Sequence, residues 1–161
     1  MESTSEGPAP RPTGGRGRSR RLARTIAFQT LYEADLSRHR PGEVLQRLLG
    51  DAPPEPATAE FARELVAGVL RNRARVDEVL QGIASAWPLA QMSPIDRNIL
   101  RIGIYECLYT SQQVPVRVAI NEAVELAKRF GSDSTPRFVN GVLGQLVRSQ
   151  HLDADSSGET P

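Results

Sequence analysis

Cysteine, histidine, lysine and aromatic residues are all scarce in this 161-residue chain: one Cys, two His, a single Lys and 5% aromatics. The lone Cys107 excludes an internal disulfide framework. With His39 and His151 far apart, it also excludes a zinc-finger ligand set. No run approaches the roughly 18 apolar residues of a membrane span. The opening MESTSEGPAPRP lacks the apolar core of a signal peptide. A cytoplasmic protein with no membrane contact is therefore expected. Charge of one sign is also missing: 20 basic residues face 19 acidic ones, a net +1. That balance excludes a wholly basic nucleic-acid coat and an acidic solvating chain. Walker loop, dinucleotide glycine fingerprint and nucleophile elbow are all absent.

What is present is an aliphatic chain long enough for one core, able to bury roughly 70% of its unfolded surface. Its neutrality hides an asymmetry. Residues 1–25 carry Arg11, Arg16, Arg18, Arg20, Arg21 and Arg24 against Glu2 and Glu6, while residues 150–161 carry Asp153, Asp155 and Glu159. Residues 1–18, rich in Gly, Pro, Ser and Thr, are expected to be a disordered tail, and residues 150–161 a disordered acidic one. A single helical domain is expected over 19–149.

Between the tails, apolar residues recur at three- and four-residue steps, and no period-two strand pattern survives. The expected fold is all-α, a compact bundle of about seven helices. The first covers Leu22 to Leu36, a short one 43–49, and a long pattern 59–86 breaks near Asn72. Ser93-Pro94-Ile95-Asp96 reads as a capped start for a central helix over 94–111, with a narrow polar stripe at Arg97, Asn98 and Arg101. Pro115 opens the next helix, which ends at Gly131 as a C-cap glycine, and Pro136 follows the start of the last.

Little here suggests catalysis. Cys107 is expected to be a packed thiol. Glu106 falls on an apolar line and is expected to be buried against a neighbouring polar group, while Glu125 pairs with Lys128 or Arg129 at helical spacing. A hydrolase using Glu106 and Glu122 is the weakest alternative, because no histidine completes a set.

The strongest local signal is the run Arg16, Arg18, Arg20, Arg21, Arg24 at the start of the first helix. Guanidinium groups hold phosphates in a forked geometry. Arg20 and Arg24 share one face, beside the line Arg21, Thr25, Phe28, Tyr32. Arginine is also this chain's general basic residue, so composition accounts for part of the cluster. Phe28 is expected in the core; Tyr32 is open between packing and contact with an unpaired base. Unpaired RNA fits better than duplex DNA, since no helix-turn-helix or zinc module is present.

The series DRNILRIGIYECLY (Asp96 to Tyr109), VPVRVAINEAVELAKRFG (Val114 to Gly131) and RFVNGVL (Arg137 to Leu143) resembles the bacterial NusB family of transcription antitermination factors. FARELVAGVLRN (Phe61 to Asn72) and RRLARTIAFQTLYEADL (Arg20 to Leu36) extend the resemblance over about 19–149. It implies a helical, non-enzymatic, cytoplasmic protein without cofactor or metal. It implies binding of boxA RNA, notably in ribosomal RNA leaders, together with NusE, a ribosomal small-subunit protein, and with RNA polymerase and other Nus factors. Arg20, Arg21 and Arg24 are the implied phosphate contacts, with Arg18 of the same cluster, and Tyr32 and Arg137 complete the RNA-binding set. Ser132 to Thr135 departs from the commoner acidic, serine-containing loop of that family. A homodimer that masks the RNA surface is a further implied state. Two alternatives stand beside this reading. One is a helical protein-interaction module without RNA. The other is a relative of the NusB-like domain of ribosomal RNA cytosine methyltransferases, which need a separate S-adenosylmethionine-binding domain not expected in a chain ending at Pro161.

Overall fold

The computed structural model describes residues 15–150. They form seven α-helices and no strand: α1 Gly15–Leu36, α2 Pro41–Asp51, α3 Pro56–Arg71, α4 Arg73–Ile83, α5 Pro94–Tyr109, α6 Val116–Phe130 and α7 Thr135–Gln150, with a short 3-10 turn at Leu89–Gln91. Helix α1 thus takes in residues 15–18, which the sequence placed in the tail, and α7 runs one residue past the expected domain end. The expected tails over 1–14 and 151–161 lie outside the described residues.

Proline, rather than a side-chain cap, sets several helix starts. Pro41, Pro56 and Pro94 each open a helix whose missing N–H costs nothing there. Ser93 makes no capping hydrogen bond, contrary to the expected cap. Asp96 instead accepts the Thr135 hydroxyl at 3.0 Å, tying α5 to α7. The break between α3 and α4 falls at Asn72, whose side chain donates to the Gly68 carbonyl at 2.8 Å.

Helix α5 is the axis of the bundle and packs against α1, α3, α4, α6 and α7. Ile99, Leu100, Ile102, Ile104 and Cys107 are all buried within it. At Gly103 a Cβ would sit 2.8 Å from Leu143 Cδ1, so the absent side chain is what lets α7 approach. Gly131 ends α6 in an extended conformation (φ −90°, ψ −177°), not the left-handed one of the expected cap. It is glycine because a Cβ would meet Thr135 Cβ at 2.5 Å.

The polar stripe expected on α5 is not solvated. Asn98 and Arg101 are 1% and 4% exposed. Arg101 grips Asp77 through Nε and Nη2 at 2.8 and 3.1 Å, and Arg97 Nε and Asn98 Nδ2 donate to Asp35 at 2.6 and 2.8 Å. Asp35 comes from α1 and Asp77 from α4, partners that helical spacing within α5 does not display. Buried charge persists only when paired in this way. Among the described residues, no buried side-chain polar atom lacks a partner.

Candidate nucleic-acid interface

Helix α1 carries the arginine cluster, and its rotation of about 100° per residue splits that cluster between two faces. Arg18 and Arg21 are exposed. Arg20 is half-buried, its guanidinium carbon 5.0 Å from the centre of the Phe61 ring on α3. Burial first, then repulsion from Arg16 and Arg24, pulls the Arg20 guanidinium below its ordinary range, although it stays a cation at neutral pH.

Arg24 corrects the expectation drawn from the cluster. It is 2% exposed and donates through Nε and Nη2 to both Glu106 oxygens at 2.8 Å. Both its forked edge and its surroundings are taken up by the core, so it is withdrawn from the phosphate-contact set. The i, i+4 face shared by Arg20 and Arg24 is the face packed on Phe61, 5.3 Å from the Arg24 guanidinium. The same observation bears out the structural reading of Glu106.

The line Arg21, Thr25, Phe28, Tyr32 leads along the other side of α1. Arg21 donates from Nε and Nη2 to Glu122 on α6, both at 3.1 Å. That hydrogen bond and charge raise the Arg21 guanidinium further above its ordinary value. One turn on, Arg129 Nη1 donates to Thr25 Oγ1 at 2.9 Å, and its guanidinium lies 5.1 Å from the Phe130 ring centre. Phe28 is buried, as expected, and stacks on half-buried Tyr32 at 5.7 Å and against Phe130 at 4.9 Å. Glu125 pairs with Lys128 at 3.2 Å, one of the two expected partners. Arg129 is therefore left to join the α1 surface, a role its helical spacing to Glu125 concealed.

The end of α6 links this surface to the last candidate. Gly131 packs against Thr135, and two residues later Arg137 stands exposed on the first turn of α7. Beside it opens a cleft of about 520 Å³ lined by Trp87, Gln91, Met92, Ser93, Asp96, Ser134 and Phe138. Trp87 is 59% exposed, an unusual position for so large an apolar ring. Sequence inspection missed this cleft because its walls come from two stretches of chain far apart in sequence, 87–96 and 134–138. Ser132 to Thr135 closes on itself: the Ser132 amide donates to Thr135 Oγ1 at 3.0 Å.

Arg18, Arg21, Arg129 and Arg137 are exposed cations, and Arg20 is half-buried on the α3 side of α1. Among the described residues, Arg18, Arg20 and Arg137 have no carboxylate within ion-pair distance. Cys107 is buried, and its thiol is pushed up to about 12 by burial and then by Glu106, so it is inert as a nucleophile near neutral pH. No group of three or more His, Cys, Asp or Glu able to hold a metal occurs among the described residues. No described helix is long and apolar enough to cross a membrane.

These features define a class: a small all-helical protein with guanidinium groups and aromatic rings at its surface and no catalytic or metal-binding set among the described residues. The chain belongs to the NusB family, whose model matches residues 21–148, and it is accordingly a transcription antitermination factor rather than an enzyme. It is 47% identical over 131 residues to the transcription antitermination protein NusB of Dehalococcoides mccartyi, an alignment covering 81% of this chain and 91% of that protein. It is also 47% identical over 129 residues to the Saccharopolyspora erythraea NusB, covering 80% and 86%. Among solved structures, T. maritima NusB superposes with a TM-score of 0.74 at 31% identity, covering 80% of this chain and 90% of that one. A structure of antitermination factors NusB and NusE in complex with dsRNA superposes at 0.75 and 28% identity, covering 82% and 98%.

Proposed function

We propose that this chain binds boxA RNA, notably in the leaders of ribosomal RNA transcripts, together with NusE, and so helps RNA polymerase read through terminators alongside other Nus factors in the cytoplasm. The observation that carries this reading is the α1 surface itself. Arg18, Arg20 and Arg21 stand at the helix start without catalytic company, and the line from Arg21 runs to Tyr32. The solved relative complexed with NusE and dsRNA supports the choice of ligand and partner class.

The chain does no bond-making chemistry in this role. Arg18, Arg20, Arg21 and Arg137 hold phosphates, and Tyr32 offers an edge or face to an unpaired base. Trp87 and Phe138, which line the cleft beside Arg137, offer two further aromatic surfaces for unpaired bases. A separate surface takes NusE, and binding transcript and protein together raises the effective concentration of one for the other. A second copy of this chain competes with RNA for the same surface, so added RNA dissociates any homodimer.

The deciding experiment is a titration with boxA RNA and with a scrambled RNA, each with and without the matching NusE. Tighter binding of boxA, improved further by NusE, is expected. Equal weak binding of both RNAs with no NusE effect would leave a helical interaction module with a basic end.

A further inference from the structure

Arg18 and Arg21, both exposed on α1, are not equivalent. Arg18 has no carboxylate partner among the described residues, whereas Arg21 is already occupied. Glu122 takes the Nε–Nη2 edge of Arg21 with both oxygens, the geometry in which a guanidinium also takes two phosphate oxygens. The Glu122 carboxylate therefore stands where an RNA phosphate would stand, and it cancels the charge that would attract one.

A structural tie is a poor account of this pair. Its arginine side chain is 52% exposed and its glutamate 14%, and an ion pair open to water on one side contributes less to stability than a fully buried one. Helix α1 is already fixed by the buried Arg24–Glu106 pair, by the Phe28–Phe130 contact and by packing on α3. Among the described residues Glu122 has no cation other than Arg21 within ion-pair distance, and Lys128 is paired with Glu125. Glu125 adds only negative charge on the Arg21 side.

We propose that Glu122 is a specificity-determining residue: it clasps Arg21 in the RNA-free protein and yields it only to a phosphate seated at the junction of α1 and α6. This rests on the RNA interface proposed above. An RNA that docks loosely meets Arg18 and Arg20 alone. An RNA whose backbone crosses the junction displaces the carboxylate and gains a third guanidinium. Glu122 thus lowers affinity for every RNA, but lowers it most for those that do not fit.

The test is equilibrium binding of boxA RNA and a scrambled single-stranded RNA of equal length, over a series of salt concentrations. The proteins are the wild type, Glu122→Gln, Arg21→Ala and the double variant. Glutamine keeps the shape of the side chain and removes its charge. Glu122→Gln is expected to tighten scrambled RNA by up to about fivefold, the range set by exposed ion pairs. The slope of log affinity against log salt is expected to steepen by about 0.7, one more phosphate neutralised on a single strand. BoxA RNA gains less, so the ratio of the two affinities falls. Arg21→Ala is expected to weaken boxA RNA more than scrambled RNA, and in its background Glu122→Gln should no longer shift the ratio of the two affinities. Weaker binding of both RNAs by Glu122→Gln, or an unaltered slope for scrambled RNA, would overturn the proposal while leaving the RNA interface standing. So would a fall in melting temperature matching the loss of binding, which would make the pair a structural tie. Absence of salt-dependent binding by the wild type would instead remove the interface, and the inference with it.

Discussion

Arg21 and Arg24 stand less than one turn apart on α1, and each is held by a glutamate through two hydrogen bonds. Their surroundings differ completely. The side chains of Arg24 and Glu106 are 3% and 1% exposed, while those of Arg21 and Glu122 are 52% and 14% exposed. The inner pair has left water behind, and each charge is tolerable only because the other is present. The outer pair exchanges water for a partner at little net gain and can exchange that partner for another. One helix thus carries the same chemical motif twice, once as a fixed joint and once as an exchangeable contact. Depth, not residue type, assigns the roles.

The sharpest way to break this contrast is to remove one member of the inner pair. Glu106→Ala leaves the Arg24 guanidinium buried and unpaired, which is expected to cost about 3–5 kcal/mol. For a domain of this size that is a fall in melting temperature of roughly 10–15 °C, read by thermal denaturation. Replacing both partners with apolar residues, Arg24→Met with Glu106→Leu, is expected to recover most of the loss, because no charge is then stranded. RNA affinity at a temperature where the variants are folded should remain near wild type. A mild effect of Glu106→Ala on stability would show that water reaches the pair.

The network at the other end of α1 offers an intermediate case. Asp35 is half-buried, and burial alone would raise its carboxyl, but donors from Arg97 and Asn98 and the charge of Arg101 outweigh this and hold it below the ordinary value of 3.8. A carboxyl lowered on folding stabilises the protein above its unfolded value and loses that contribution as pH falls through the folded one. Wild-type stability is therefore expected to decline as pH drops below about 4, and Asp35→Asn should flatten that decline in urea titrations at pH 3 and pH 7. An equal acid decline in the variant would assign the effect to other carboxylates.

The helices were legible in the sequence because each carries its own period and most have a proline or glycine boundary, α4 being set off by Asn72 instead. Their joints were not. Asp35 and Asp77 lie 66 and 24 residues before Arg101, so the stripe on α5 was visible in the sequence but its partners were not. The arginine run read as one cluster for the same reason. Spacing shows which residues share a face, but only the position of α3, with Phe61, shows that the face of Arg20 and Arg24 turns inward. Glu106 was recognisable as buried because it interrupts an apolar line within a single helix. Arg129 and the Trp87–Phe138 cleft depend on chain segments meeting in space, and no local pattern announces them.

The finest test of the comparison lies within the phosphate row. Arg21→Ala is expected to cost no more than about 1 kcal/mol of stability, the range for an exposed pair. Arg24→Ala costs several times more, and the two variants should be ranked by urea denaturation. In titrations with boxA RNA the order reverses. Replacing Arg18, Arg20 and Arg21 together should lower the slope of log affinity against log salt by about 2, the sum for three phosphates on a single strand. Adding Arg24→Ala to that triple should lower the slope no further, provided the temperature keeps the protein folded. A further fall of about 0.7 would mean that Arg24 leaves Glu106 to meet RNA, and that the inner pair is as exchangeable as the outer one.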